Sequence, residues 1–384
     1  MKRLAVITTH PIQYYAPIFT LLASRQVIVV KVFYTWERHA ATFDHDFGRN
    51  VEWDIPLLEG YEYSFVSNRN NNGRSFWEVN NPGLIKDIEA WKADAILVIG
   101  WNYRSHLRAM MHFKNRVPVL FKGDSTLLDE KPGIKTLLRR IFLSFIYRFI
   151  DKAFFVGTAN KNYFLQHGIR EDQLVFTPHA IDIHRFGSID SEQVRFILKT
   201  RESLGIRDND LTILFCGKLQ AKKNPLLIIK AVKQLNHKIL HLVLIGNGET
   251  EAAVKHEING LANIHLLPFQ NQSMMPAVYR LGEIFCLPSC GPGETWGLAV
   301  NEAMASGRAV LVSDKAGCHP DLVINGVNGY CFHSNDISDL QNKIKKTISS
   351  RDSLSQMGKA SEQIISTWTF DAIVTAIEKT LQAI

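Results

Sequence analysis

Two carboxylates, Glu294 and Glu302, lie in one short stretch with seven residues between them. The first follows Pro288-Ser289-Cys290-Gly291-Pro292-Gly293, a Pro/Gly-rich segment that reads as loop. The second falls within small residues, Ala299 to Ser306, that read as a buried helix. A carboxylate is an acceptor-only group with two oxygens, so each acid can grip a pair of neighbouring hydroxyls on a sugar ring or a ribose. One acid before a helix and one inside it suit a nucleotide-sugar.

Cationic groups stand upstream. The strand candidate Leu211–Phe215 runs into Cys216-Gly217-Lys218-Leu219-Gln220-Ala221-Lys222-Lys223. Gly217 admits a ligand to the backbone, and Lys218 and Lys223, five apart, offer point charges to a diphosphate. A solvated loop is the plain alternative for such a lysine cluster. The strand candidate His241–Ile245 leads into Gly246-Asn247-Gly248-Glu249, which lacks the full G-x-G-x-x-G of a dinucleotide turn. The strand candidate Ile284–Leu287 delivers the glutamate loop, and the helix after it aims its amino-terminal N–H groups at a bound anion. All three turns follow strand carboxyl ends, where open parallel sheets hold ligands.

The elements that must position these residues alternate between short apolar runs and longer helical patterns, which implies an α/β fold with parallel sheets covered on both faces. In the first half the strand candidates are Leu4–Thr8, Ile28–Tyr34, Ala95–Ile99, Val117–Phe121, Lys152–Val156 and Leu174–Thr177. Residues 51–81 show no clear period and read as an irregular insertion. A charged, weakly patterned stretch after Phe186 marks a boundary, giving a first domain at 1–186, a linker at 187–210 and a second domain at 211–369. The second series of strands continues with Ile264–Leu267 and Ala309–Ser313.

At 384 residues, with 46% hydrophobic and 21% charged content, the chain is an ordinary globular sequence of two expected domains. The start, Met1-Lys2-Arg3 and a short apolar run, reads as a first strand and not as a signal peptide. Five cysteines, odd in number and mostly in apolar stretches, point to reduced thiols and a cytoplasmic location, with Cys286 and Cys290 as a minor metal alternative. Of the net charge of +7, residues 1–187 carry +6, from 24 Lys/Arg against 18 Asp/Glu. Part of this lies in 134–149, whose charges interrupt the apolar run too often for a bilayer span. Two readings stand for that segment: a basic helix on an anionic membrane face, or a packed helix with a snorkelling basic edge. Nucleic acid is not an expected partner, because the cations are dispersed and no binding motif accompanies them.

Taken together these residues resemble family 4 of the retaining glycosyltransferases, which have the GT-B fold of two Rossmann-like domains facing across a cleft. Gly217-Lys218-(x)4-Lys223 is similar to the family's Gly-Arg-(x)4-Lys, Gly246-Asn247-Gly248 to its Gly-x-Gly, and Glu294-(x)7-Glu302 to its two-glutamate motif. Thr177-Pro178-His179-Ala180-Ile181-Asp182 with Phe186 resembles its Pro-Asn-Gly-Val-Asp…Phe, and Asn325-Gly326-Val327-Asn328-Gly329 a late structural turn. The resemblance implies that Glu302 binds the donor's ribose diol and Glu294 the hydroxyls of the transferred sugar. Lys218 and Lys223 would neutralise the departing diphosphate, assisted by Gly217 and by the backbone N–H groups of Gly297, Leu298 and Ala299. The base would lie against Leu267-Pro268-Phe269. The last helix, about 370–384, would pack back on the first, acceptor-side domain.

The implied reaction is retaining transfer from a nucleoside-diphosphate sugar, with a UDP-sugar as expected donor, to a saccharide or lipid-linked acceptor in glycan or cell-envelope polysaccharide synthesis. No cofactor or metal is expected, and the leaving phosphate takes the acceptor proton. A peripheral location at the inner face of the cytoplasmic membrane would suit a lipid-linked acceptor. The chain departs from the family pattern in three places. Lys218 replaces the usual arginine, exchanging a bidentate fork for a point charge. The first strand ends in Thr8-Thr9-His10-Pro11-Ile12-Gln13-Tyr14-Tyr15 in place of paired glycines, so that His10, Gln13 and Tyr14 are acceptor-side candidates beside the reading of a packed His-Pro turn. Asp124 stands where several relatives place a histidine near the reacting sugar, and is a catalytic candidate. His106 and His319 are further candidates, and Trp36, Trp53, Trp77 and Trp101 offer faces for sugar stacking or for core packing. The rival readings are a nucleotide-sugar epimerase on the same fold, a nicotinamide-dependent oxidoreductase, a glycoside hydrolase and a binding protein on an inactive transferase fold.

Overall fold

The computed structural model describes residues 1–36, 42–44, 49–51, 54–69 and 75–384. Its strands, in chain order, are β1 (Arg3–Thr8), β2 (Val29–Tyr34), β3 (Thr42–Asp44), β4 (Arg49–Val51), β5 (Glu62–Phe65), β6 (Ala95–Ile99), β7 (Val119–Lys122), β8 (Lys152–Phe155), β9 (Leu174–Phe176), β10 (Leu211–Cys216), β11 (Leu240–Ile245), β12 (Ile264–Leu267), β13 (Ile284–Leu287), β14 (Ala309–Ser313) and β15 (Gly329–Phe332). The helices are α1 (Ala16–Arg25), α2 (Leu84–Ala90), α3 (Arg104–Phe113), α4 (Ile134–Tyr147), α5 (Thr158–Gln166), α6 (Ile183–Gly187), α7 (Ser191–Ser203), α8 (Pro225–Leu235), α9 (Glu251–Ile258), α10 (Met275–Tyr279), α11 (Leu298–Ala305), α12 (His319–Leu322), α13 (Ile337–Thr347), α14 (Arg351–Ile365) and α15 (Phe370–Ala383).

Two compact units divide the chain: Met1–Ala41 with Ile55–Ala180 and Phe370–Ile384, and Thr42–Asp54 with Ile181–Thr369. The first holds a parallel sheet in the order β5-β2-β1-β6-β7-β8-β9. Its apolar runs are continuous because both faces are covered: along β1, Leu4 and Val6 join one buried cluster while Ala5 and Ile7 join another. Helices α2 to α5 supply the second cluster and α1 and α15 the first, where Ile373, Val374, Ile377 and Leu381 are all buried. Burying four such side chains contributes on the order of 1.5–3 kcal/mol each, which is what holds the carboxyl-terminal helix on this unit.

The second unit holds a parallel sheet in the order β12-β11-β10-β13-β14-β15. Leu211, Ile213 and Phe215 of β10 enter one core with α8 and α13, while on the opposite face Phe285 of β13 meets Tyr279 of α10 at 5.6 Å between ring centroids. Residues 187–210, read from the sequence as a linker, contain α7, started by a capping box between Asp190 and Gln193. Within 51–81, read as irregular, the described residues include β5, which adds to the edge of the first sheet beside β2. Its register, Lys31 against Glu62 and Tyr34 against Phe65, lets Tyr34 stack on Phe65 and Lys31 pair with Glu62 at 2.8 Å. An edge strand with two exposed positions out of four carries little periodic signal, which is why the pattern missed it.

Candidate functional site

Three loops meet at the carboxyl edge of the second sheet. After β10 the chain passes through Gly217, φ +154°, and after β11 through Gly246, φ +143°. The two loops approach so closely that a Cβ on Gly246 would lie 2.0 Å from the Gly217 carbonyl oxygen. Only glycine fits such a contact at such a φ. The loops are then stitched by backbone bonds from Gly217 to Ile245 and from Leu219 to Asn247. The third loop, after β13, is tied in by the Cys290 N–H donating to the Lys222 carbonyl at 2.8 Å.

That stitching brings Lys223 onto Glu294, with Nζ 2.5 Å from Oε2. Ser289 donates its hydroxyl to the same oxygen at 2.9 Å. Glu294 is only 8% exposed, so this carboxylate is held by two donors in a largely dry site. Glu302, 3% exposed on α11, accepts from the Tyr279 hydroxyl at 2.7 Å, and Tyr279 is itself packed edge-on against Phe186. The two acids share one electrostatic neighbourhood. Burial first, and then Glu302, push the Cys216 thiol up, with Lys223 opposing; burial and then Glu294 do the same to Cys318. Both thiols are therefore held protonated and inert.

Helix α11 begins at Gly297, φ +102°, where a Cβ would lie 2.8 Å from Leu287 and 3.8 Å from Glu294 Oε1. The N–H groups of Leu298 and Ala299 fall in the first turn, where an α-helix leaves them without intrahelical acceptors. No side chain caps this end, and a ligand anion can take that place. Beside the loop after β12, Asn247 accepts from the Phe269 N–H at 3.1 Å, and a depression of about 500 Å³ is lined by Gly246, Asn247, Leu267 and Pro268 among others.

A second cluster forms at the carboxyl edge of the first sheet. Lys122, the last residue of β7, is 3% exposed and donates to the Thr177 hydroxyl at 2.9 Å and to its carbonyl at 3.2 Å. Burial pushes its ammonium down to about 7, Asp124 offsetting only part of the cost. Asp124, about half exposed, has its carboxylate 3.8 Å from Nε2 of His179. The His179 imidazole is held below its ordinary range by burial, against the pull of Asp124. The Tyr15 phenol is raised by burial and by the same carboxylate. Asp124 is thus surrounded by a lysine, an imidazole and a phenol from three different strand ends.

Residues 196–364 match the family described as glycosyl transferases group 1. The D-inositol 3-phosphate glycosyltransferase of Gordonia bronchialis is 26% identical over 201 residues, 48% of this chain and 43% of that relative. The lipopolysaccharide 1,2-N-acetylglucosaminetransferase of Salmonella typhimurium is 25% identical over 47% of this chain and 51% of its own length. The matches span about half the length of these curated relatives. Among solved structures, Anabaena HepE in complex with UDP superposes with a TM-score of 0.74 at 20% identity, covering 100% of both chains. Sucrose-phosphate synthase from Thermosynechococcus elongatus superposes at 0.76 with 14% identity, covering 100% of this chain and 99% of that one. The fold is that of the GT-B glycosyltransferases.

Within the second unit, the structure brings together Gly217, Lys223, Glu294, Gly297 and Glu302 from the residues singled out in the sequence. Lys218 lies on the same loop, half-buried, one residue past Gly217. In the other unit the half-buried His10 turn packs as an aromatic corner, its ring edge-on to Trp36 at 5.4 Å and its Nδ1 3.0 Å from the Thr9 hydroxyl. Gln13 and Tyr14 are half-buried on the same turn, next to Tyr15. His106 is fully buried, donating from Nδ1 to the Gly100 carbonyl at 2.7 Å with Nε2 2.9 Å from the Thr35 hydroxyl, and so braces strand ends. His319 uses Nδ1 on the Ala316 carbonyl at 3.0 Å at the start of α12. Trp101 packs its edge against Phe142, Trp77 is exposed, and Trp53 lies outside the described residues. Among the described residues no group of three or more His, Cys, Asp or Glu is placed to hold a metal ion.

Sequence reasoning missed Tyr279, Ser289, Lys122 and His179 as site residues. Tyr279 holds its acid from a helix 23 residues away, and Ser289 holds Glu294 from within the same loop, five residues before it. The last two carry a signal only once the sheet order places the ends of β7 and β9 at one edge, with β8 between them.

Proposed function

We propose that the chain is a retaining glycosyltransferase that takes a sugar from a nucleoside-diphosphate sugar, a UDP-sugar as expected donor, and passes it to a saccharide or lipid-linked acceptor in glycan or cell-envelope polysaccharide synthesis. The observation that carries this reading is the meeting of Lys223, Glu294 and the uncapped start of α11 at one sheet edge, with Glu302 in the same electrostatic neighbourhood. Glu302, oriented by Tyr279, takes the ribose diol; Glu294, oriented by Ser289, takes hydroxyls of the transferred sugar. Lys218, Lys223 and the N–H groups of Gly297, Leu298 and Ala299 stabilise negative charge as the diphosphate departs, which is the main rate contribution. Phe269 and the depression beside it receive the base.

The anomeric carbon is attacked from the face the diphosphate leaves, with the leaving phosphate taking the acceptor proton, so neither glutamate is a nucleophile. Asp124, with His179, Lys122 and the His10–Tyr15 turn, orients the acceptor. The reading includes metal independence, a cytoplasmic location and peripheral contact with the membrane that carries a lipid-linked acceptor. Among the described residues no helix is long and apolar enough to cross a bilayer.

A thermal-shift panel of UDP-, GDP- and ADP-sugars tests the donor site, since a ligand bound only by the folded state raises its melting temperature. Glu302→Ala is expected to abolish the shift and Glu294→Ala to impair turnover more than nucleotide binding. An equal shift in Glu302→Ala and parent removes Glu302 from the site. Release of free nucleoside diphosphate only on adding acceptor separates transfer from epimerisation.

A further inference from the structure

Helix α4 presents an apolar stripe to solvent. Ile134, Leu137, Leu138, Ile141, Phe142 and Phe145 recur at the three- and four-residue spacing of one helix face, and each is between 51% and 68% exposed. The side of the helix that packs on its own unit is a different one, formed by Leu143, Ile146 and Tyr147. From Ile134 to Phe145 the stripe is about 16 Å long at 1.5 Å per residue. Single exposed hydrophobics are ordinary, whereas six in one row are a surface that something covers.

The charges around the stripe say what covers it. Residues 129–148 hold five cations, Lys131, Lys135, Arg139, Arg140 and Arg148, against two carboxylates, Asp129 and Glu130. Glu130 lies back under the helix, 8% exposed, within 2.9 Å of Arg140 and 3.8 Å of Arg139, so the outward character of the segment is cationic. Lys131, Lys135, Arg139 and Arg148 are exposed. The helix itself contains no acidic residue. Trp101 sets its ring edge against Phe142 at 6.0 Å and adds an amphipathic aromatic at the margin. A second copy seated on this face would bring cation against cation, because a two-fold contact apposes the same patch to itself. A membrane surface of anionic phospholipid satisfies both features, taking the apolar row below the headgroups and the cations among the phosphates.

We propose that α4 is the element by which this chain docks on an anionic bilayer surface, lying in the interface with Ile134, Leu137, Leu138, Ile141, Phe142 and Phe145 inserted. This deepens the transferase reading by giving the peripheral contact a location, and rests on that reading only for its purpose. The measurement is flotation of the full chain with phosphatidylglycerol vesicles and with phosphatidylcholine vesicles, over a range of salt. The parent is expected to float with the anionic vesicles, less so as salt rises. Lys135→Gln with Arg139→Gln is expected to lower that partition about 30-fold, taking roughly 1 kcal/mol per cation near the surface. Ile141→Gln with Phe142→Gln is expected to lower it at least tenfold; both side chains are more than half exposed, and an unchanged melting temperature checks that loss of the Phe142 contact with Trp101 leaves the fold intact.

Each variant is also run through the nucleotide-sugar thermal shift, which these residues do not touch. An unchanged shift with lost flotation supports the docking face and leaves the donor site intact. Absence of parent flotation on anionic vesicles overturns the proposal, whatever the nucleotide result. Flotation undiminished in both variants overturns the assignment to α4. Loss of a concentration-dependent dimer in the variants, without any parent flotation, makes the face a self-interface and also overturns it.

Discussion

Replacing Lys223 by methionine separates the stabilising role of this cation from its proposed role toward the diphosphate. In the free protein its ammonium sits 2.5 Å from a carboxylate that is 8% exposed, and its own side chain is 18% exposed. Removing one partner of a buried pair costs about 3–5 kcal/mol because the other charge is stranded. The lower end applies here, since Ser289 still donates to Glu294 and both side chains keep some water. Lys223→Met is therefore expected to cost about 3 kcal/mol in urea unfolding at pH 7. Adding Glu294→Gln should return about 2 kcal/mol of that, the coupling of one charge-assisted hydrogen bond. With saturating UDP the lysine is shared with the diphosphate, so the same double-mutant cycle is expected to give less than about 1 kcal/mol. Titration calorimetry on the single variant should show UDP binding about 10- to 160-fold weaker, from the roughly 1.5–3 kcal/mol of a hydrogen bond to a charged group. A coupling energy unchanged by UDP, or an affinity within twofold of the parent, refutes the placement of Lys223 at the diphosphate.

Acid should weaken the first unit through His106, whose imidazole burial pushes down to about 4. The unfolded chain binds its proton near 6.5, so stability is intact above that pH and falls as pH drops toward 4, by about 3 kcal/mol in all. His106→Asn should flatten this window in urea titrations, and an identical slope in variant and parent contradicts the assignment. Gly246→Ala, forcing a Cβ 2.0 Å from the Gly217 carbonyl, should prevent stable folding or lower the melting temperature sharply, whereas Gly217→Ala meets nothing within 4 Å and costs only its backbone strain, about 1–2 kcal/mol, while weakening UDP binding. Equal melting temperatures for the two variants go against the loop-on-loop contact. Asp124→Asn should lower turnover by tenfold or more with UDP affinity within twofold of parent, measured by coupled diphosphate release and calorimetry; unimpaired turnover excludes a role for Asp124.

Much of this arrangement was legible in the residues because local chemistry announces it. The strands Ala95–Ile99, Ile264–Leu267, Ile284–Leu287 and Ala309–Ser313 coincide with their apolar runs, since strands buried on both faces need unbroken hydrophobic sequence. The Pro/Gly context of Glu294 and the small residues around Glu302 likewise marked loop and helix before any coordinates. Elements with mixed surfaces were not legible. The edge strand β5 and the helix α7 in the expected linker expose polar positions that blur a period, and the strand β15 is only four residues long and opens on a glycine.

What the sequence by itself determined was which groups exist and which strand end each follows: two acids, two lysines, three glycine turns and a helix start. Only the tertiary structure decided that Lys223 is paired with Glu294, that Tyr279 orients Glu302, that Asp124 faces His179, and that α4 turns its apolar row outward. The reason is the range of the interactions. Periodicity and turn chemistry act within a few residues and leave their mark in order along the chain. Hydrogen bonds, ion pairs and burial act across a few ångströms between residues 23 to 71 positions apart, as for Tyr279 with Glu302 and Lys223 with Glu294. Parallel strand order creates those neighbours.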